Sequence, residues 1–443
     1  MAMSASTRRT ALGLLATIYS FSFIDRVVIA LTAEQLKADF SISDLEIGLL
    51  SGTAFAIANS VAALPIARFA ETYSRKWITT GALMIASVFA ALCVLTTSFV
   101  QMLVLRMGIA ASTAGVESPS HSMVSDMYEP AKRASAMSIL MLGIPIASVI
   151  GSTLGGAIAE SYGWRATFLA VGVLGVAVAA VSMIFVREPA RVDVSVKEDR
   201  VGIGGVLMIL MCDRCMRHLL IGVCIMGLGT YGSSTFLPAF FSRSFGLGPG
   251  NAGLAVGLLN GIGSFVGTIL GGFGAEYLAR RDQRWLVAFP GVGAIIGAPI
   301  YVIGLFQSNI YIAFPIMLVG SFFLFMVMGP AITAVHSVLG SRSRATGSAL
   351  FLLMLNLVGQ GLGPPLAGYV SDIVSAATFG SASFATECAG AAGQIAGSQC
   401  ASAGAAGVRY AIAIFVLLYL WSGAHLLWGA RNGKPPAERR AMA

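Results

Sequence analysis

Residues 10–32 read TALGLLATIYSFSFIDRVVIALT, an apolar run interrupted by two opposite charges, Asp25 and Arg26. A helix needs about 20 mainly apolar residues to cross a bilayer, and this stretch supplies them. A charged side chain at the bilayer centre costs at least about 2.5–3.5 kcal/mol on insertion scales, so such residues face a bundle interior or a wet cavity and take partners. Adjacent helix residues point about 100° apart and do not face each other. Asp25 and Arg26 therefore need separate counterparts elsewhere in the chain.

The rest of the sequence repeats the apolar pattern. Of 443 residues, 56% are hydrophobic and 11% charged, where soluble domains run near about 25% charged. This composition defines an all-α polytopic membrane protein with the lipid bilayer as its first partner. The 52 glycines suit helices that must approach closely. Arg8-Arg9 ahead of an apolar run resembles a signal peptide, but the run continues through Asp25-Arg26 without a small-residue cleavage site, so it reads as the first span. The net charge of +8 is a topology signal. Outside the spans, the basic residues fall in the termini and the loops sharing their side, with Lys37, Arg165, Arg243 and Arg409 as the exceptions. The positive-inside rule then places both termini in the cytoplasm, in a bacterial-type inner membrane, and no nucleic-acid partner is implied.

Twelve spans are expected, near residues 10–33, 45–67, 77–97, 99–126, 134–161 and 165–186, then 218–241, 251–277, 285–306, 309–338, 345–372 and 408–430. Residues 1–186 form one six-helix bundle, 187–217 a polar cytoplasmic linker with a short interfacial helix, and 218–443 a second bundle. The bundles repeat each other. Ala70-Glu71 before Arg75-Lys76 recurs as Ala275-Glu276 before Arg280-Arg281, and Arg133-Ala134 recurs as Arg344-Ala345. Gly151, Leu154, Gly156 and Glu160 correspond to Gly363, Leu366, Gly368 and Asp372. Parallel repeats imply two pseudo-symmetric bundles that rock about a mid-membrane site. Glycines at four-residue spacing, Gly253, Gly257 and Gly261 and then Gly263, Gly267 and Gly271, provide two ridges on span eight.

The repeated loops also suggest gates. Glu71 and Glu276 end spans two and eight on the side where spans eleven and five begin, and a helix N-terminus favours a carboxylate by about 0.3–1 kcal/mol. With Arg75, Lys76, Arg133, Arg280, Arg281 and Arg344 they are expected to hold the cytoplasmic face shut across the two halves.

These loops, with Phe23-Ile24-Asp25-Arg26, Pro119-Ser120-His121-Ser122-Met123, Gly163-Trp164-Arg165, Phe236-Leu237-Pro238-Ala239-Phe240 and Leu278-Ala279-Arg280-Arg281-Asp282, resemble the major facilitator superfamily and its Spinster branch over nearly the whole chain. The resemblance implies the major facilitator fold and a secondary transporter, proton-linked in at least some members, whose animal relatives move lysophospholipids and sphingolipid-like amphiphiles. The chain departs from the pattern in three places. Glu71-Thr72 and Glu276-Tyr277 stand where Asp-Arg is usual, and Thr113 stands where members often carry glutamate, with Glu117 one helical turn further on.

Arg106, Thr113, Glu117 and His121 share one face of span four, which by the same resemblance faces span one across the cavity. Arg106 or Arg26 is expected to hold Asp25 charged in one state, while Asp25 or Glu117 takes a proton in another, because a carboxylate moved between a desolvated wall and a cation changes its proton affinity. Tyr231, Asn356 and Gln360 are further cavity candidates. Cys388 and Cys400, in a loop on the outer face, could pair as a disulfide. No metal site or cofactor is implied, the proton gradient being the energy source.

The expected function is a secondary active transporter, proton-coupled, working as a monomer by alternating access on an organic small-molecule or lipid-like substrate. A transporter of polar organic anions such as sugar acids or organic phosphates is one alternative. A nutrient sensor that keeps the fold without transporting is another. An enzyme is not expected, and no phosphate-binding glycine loop followed by Lys-Ser/Thr is present to mark an ATP-driven pump.

Overall fold

The computed structural model describes residues 5–189, 203–339, 344–381, 384–388 and 399–432. Its long helices are α1 (Ala5–Leu31), α2 (Asp44–Thr72), α3 (Arg75–Leu95) and α4 (Phe99–Met127), followed by an apolar run Ser135–Phe185 that contains two spans. That run turns at Gly163, whose φ of +80° is a left-handed conformation that only glycine adopts cheaply, giving α5 (residues 135–162) and α6 (residues 164–185). In the second half α7 is Arg214–Phe245, α8 Pro249–Ala279, α9 Trp285–Leu305, α10 Ile310–Leu324 plus Met328–Val338, α11 residues 344–379 and α12 Gln399–Asn432. Twelve crossings, an even number, bring the two ends of the described chain to one face. This is the expected twelve-helix fold in two six-helix bundles, although residues 190–202 of the 187–217 linker lie outside the described residues. The short helix Ile203–Cys212 buries Val206 and Leu210, one turn apart, against α7 and α11.

Across the boundary between the halves, α5 packs on α8, α2 on α11 and α1 on α7. The two glycine ridges of α8 divide this work. Gly253 and Gly257 lie against Ser152 and Gly261 against Val149, both on α5, whereas Gly263, Gly267 and Gly271 lie against Ser321, Phe325 and Met326 in their own half.

Two departures from regular helix position the site. In α11, Pro364 and Pro365 have no N–H to give to the carbonyls four residues back, and the preceding residues Leu355–Gln360 widen into a π-helical turn. The Gly361 carbonyl that Pro365 leaves free accepts instead from the Thr53 hydroxyl at 2.6 Å, in the matching π-helical turn Leu49–Thr53 of α2. In α10, Pro330 likewise cannot donate to the Met326 carbonyl, and the helix breaks between Leu324 and Met328 where a continuous span over 309–338 was expected. A third difference is the start of α12 at Gln399 rather than near 408. Its small residues Ala403, Gly404 and Gly407 are buried, and Gly407 lies against Ser371 and Ser375 of α11, so packing extends a helix that hydropathy alone would begin later.

Candidate functional site

Asp25 and Arg26 do find separate counterparts, and they find them in different surroundings. The Asp25 carboxylate pairs with Arg106 of α4, and the side chains are 6% and 0% exposed. Arg106 Nε also donates to the Leu50 carbonyl of α2 at 3.4 Å. This pair is sealed inside the first half. Arg26, a quarter turn on, donates to Glu117 Oε1 at 3.1 Å, with 16% and 33% of the two side chains exposed. Its guanidinium lies 4.4 Å from the ring centres of both Phe23 and Phe55, where cation–π attraction helps hold it in place. Phe55 is itself buried, and the Arg106 guanidinium lies 5.9 Å from its ring centre on the other pair. One aromatic ring thus stands beside both ion pairs.

A cavity of 390 Å³ opens between the halves beside Arg26. It is lined from α1, α2 and α5 on one side and from α7, α8, α10, α11 and α12 on the other, and Arg26 is the charged side chain among its lining residues. Ser148, Ser152, Thr230, Ser234, Thr235 and Asn260 give it hydroxyl and amide groups, while Leu324, Phe325, Val327 and Met328 form an apolar wall at the break in α10. Tyr231 and Gln360 line it as expected; Tyr231 donates to Asn356 Oδ1 at 2.8 Å, which places Asn356 behind Tyr231 rather than in the wall. Thr230 and Tyr419 join their hydroxyls at 2.6 Å across α7 and α12.

Other expected residues sit differently. Thr113 is buried and spends its hydroxyl on the Ala110 carbonyl of its own helix at 3.0 Å, so the carboxylate one turn further, Glu117, meets the arginine. Of the loop charges expected to join the halves, Arg75, Lys76, Glu276, Arg280 and Arg281 make contacts within their own half. Arg75, 4% exposed, pairs with Asp126 at 2.5 Å and Glu188 at 3.2 Å. Glu188 caps α3 by accepting from the backbone N–H of Arg75 and Lys76 and from Ser74. Burial acts to raise the Glu188 carboxyl, but the bonds from Ser74, Lys76 and Arg75 outweigh it and hold the group below its usual range. Lys76 extends over Trp77, and Glu276 pairs with Arg280 at 3.2 Å in an exposed i,i+4 contact while Arg281 lies over the Tyr277 ring. Glu71 is exposed and Arg133 half-buried; the Arg344 side chain lies outside the described residues. Cys388 and Cys400 form a disulfide, with Cα atoms 5.6 Å apart.

The sequence reading missed the contacts that do join the halves, at the face opposite the termini. Asp372 at the end of α11 accepts from the Asp44 and Leu45 N–H groups that begin α2, at 3.0 and 2.9 Å. Its repeat-mate Glu160 at the end of α5 accepts from Gly250 N–H at the start of α8, at 2.8 Å. The signal was present in the paired positions Glu160 and Asp372, read there as repeat markers only.

Two six-helix halves around a central cavity that draws its wall from both define a membrane transporter. The chain belongs to the Major Facilitator Superfamily, whose sequence profile matches residues 15–364, and within it the chain is Spinster-like. It is similar to a bacterial homologue of the human lysosomal transporter Spinster, solved in an inward-facing and unoccupied conformation, with a TM-score of 0.85 at 28% identity, covering 97% of this chain and 98% of that one. It is 27% identical to an MFS-type efflux pump of Mycolicibacterium smegmatis over 82% of this chain and 84% of the pump. It is also 21% identical to the Drosophila melanogaster protein spinster over 80% of this chain and 60% of that protein.

Proposed function

We propose that this transporter is a proton-coupled secondary carrier of an amphiphilic organic molecule with an acidic head, of the lysolipid kind. The observation that carries the reading is Arg26: a single guanidinium, paired with a half-exposed Glu117, beside a cavity whose remaining wall is hydroxylic on one side and apolar on the other. An anionic head competes with Glu117 for Arg26. Once released, Glu117 loses the cation that favours its charged form and takes up a proton, so that substrate and proton are loaded together at one place. Asp25, paired with buried Arg106, holds the α1–α4 contact. Residues 1–186 and 218–443 move as the two rocking bodies, with both termini in the cytoplasm of a bacterial-type inner membrane. The gates at Glu71 and Glu276 form in the opposite state. The carrier works as a monomer, driven by the proton gradient.

The test is transport in proteoliposomes with lysophosphatidylglycerol and a hexuronate as alternative substrates. Glu117→Gln is expected to keep substrate counterflow and to lose at least tenfold of the accumulation driven by a pH gradient. Gradient-driven accumulation at the wild-type level by that variant removes Glu117 from coupling. Preference for the hexuronate selects the polar-anion reading, and binding without counterflow selects the sensor.

A further inference from the structure

On the terminal side of the Arg26–Glu117 pair, α1 and α4 continue as two facing stripes. On α1, the Arg26 guanidinium lies 4.4 Å from the Phe23 ring centre, and the rings of Phe23 and Tyr19 are 5.3 Å apart. On α4, His121 follows Glu117 by four residues, one turn nearer the terminal face, and residues at that spacing meet on one side of a helix. The stripes touch at two levels. Arg26 donates to Glu117 at one, and the Tyr19 and His121 rings lie 5.6 Å apart at the other. Glu117 thus stands between a guanidinium on the facing helix and an imidazole on its own. The guanidinium is in use, whereas Nε2 of His121 is buried and takes no hydrogen bond among the described residues.

A buried polar atom without a partner costs free energy, and a use for it in another state of the protein accounts for that cost. When an anionic head takes Arg26, the displaced Glu117 carboxylate needs a new counter-charge, because a desolvated charge left unpaired is costly. His121 is one turn away. An imidazole ordinarily binds a proton near pH about 6.5 and a carboxylate near about 4.3, so close to neutrality the ring is the better acceptor. An imidazolium beside the carboxylate keeps every charge paired, the head with Arg26 and Glu117 with His121. Among the described residues Glu117 is the charge that acts on His121, with the Tyr19 ring facing it from α1. Arg75 of α3 is tied to Ser122 and Asp126 of α4 instead. From α2 and the segment leading into α5, the exposed Arg68, Glu71 and Lys132 and the half-buried Arg133 stand toward the terminal ends of their helices.

We propose that His121 is the second partner of Glu117 and the holder of the coupled proton: when an anionic head occupies Arg26, Glu117 turns to His121, whose Nε2 binds one proton from water and shares it with a carboxylate oxygen. When the head leaves, Glu117 returns to Arg26 and the same proton goes back to water. The inference rests on the coupling role proposed for Glu117. It moves the proton from the carboxylate alone to a carboxylate–imidazole pair, which titrates as a unit.

The test is proton uptake on ligand binding, followed with a pH dye in weakly buffered nanodiscs of the full-length protein. It is expressed per bound molecule of lysophosphatidylglycerol or, where that is the anion bound, of the hexuronate. The wild type is expected to take up a proton near neutral pH. In His121→Gln the carboxylate has to bind it alone, so the pH of half-maximal uptake is expected to fall by at least about one unit. A midpoint at the wild-type value overturns the inference and leaves the coupling role of Glu117 standing. Glu117→Gln is expected to abolish the uptake. If that variant takes up the proton as the wild type does, or if neither anion binds, the coupling reading falls and this inference falls with it. Should His121→Gln fail to fold, wild-type protein labelled with nitrogen-15 at its four histidines decides instead. Ligand binding near neutral pH is expected to convert one imidazole to imidazolium in the wild type but not in Glu117→Gln, and histidine signals that stay neutral overturn the inference.

Discussion

Asp25 and Arg26 are neighbours in the chain, yet their pairs live in different media. The Asp25–Arg106 pair is closed off inside the first half, whereas Arg26–Glu117 borders the cavity between the halves. The 100° turn between adjacent helix positions sends one charge into packed protein and the next toward water. In the proposed cycle the two have separate duties: Asp25–Arg106 fixes α1 on α4, and Arg26–Glu117 is the pair that a ligand reaches and breaks.

The largest effect should come from breaking the sealed pair. Arg106→Ala leaves Asp25 buried without its cation and is expected to cost about 3–5 kcal/mol, read as a fall in thermal unfolding midpoint in detergent. Arg26→Ala, at a partly exposed pair, should cost no more than about 1 kcal/mol by the same measurement. If the two losses are equal, the division between a structural and a working pair is wrong. A sharper form replaces both partners, Asp25→Leu with Arg106→Met. Because two charges no longer need desolvation, this double variant should recover most of the stability lost in Arg106→Ala.

The smallest effect concerns Glu188, whose carboxyl is held below its usual range and which caps α3 beside buried Arg75. A lowered carboxylate contributes stability that is fully present above its unfolded value and is lost as pH falls through its folded value. Glu188→Gln should therefore lower the unfolding midpoint at neutral pH by an amount worth up to about 1 kcal/mol. The difference from wild type should shrink as the pH falls into the acid range. A gap that widens on acidification contradicts this assignment.

Much of the architecture was legible because lipid imposes it. The number of spans and the parallel repeat of Glu160 with Asp372 follow from hydropathy and spacing. That Asp25 and Arg26 need different partners followed from helix geometry, and the pairing of Arg26 with Glu117, one turn past Thr113, lay within reach of the same reasoning. The contacts joining the halves were not legible, since Arg243 meets partners 199 and 209 residues away. A trace was available nonetheless. Four basic residues broke the charge asymmetry of the loops, and three of them, Lys37, Arg165 and Arg243, pair with acids: Asp44, Asp39, and Glu34 with Asp44. Asp39 is held below the usual carboxylate range by the Trp164 indole N–H bond, with Arg165 adding to it against the opposing effect of burial. A cation on the side where topology disfavours it marks a local acid that retains it. The break in α10 followed from Met328-Gly329-Pro330, but hydropathy is blind to a missing backbone donor.

Gly163 joins two spans by one residue, without a loop. With no loop to absorb slack, a tilt of α5 at the boundary between the halves is transmitted to α6 like the arms of a bent lever. Any side chain placed at that left-handed position has to strain the elbow, by about 1–2 kcal/mol, or let the arms come loose from each other.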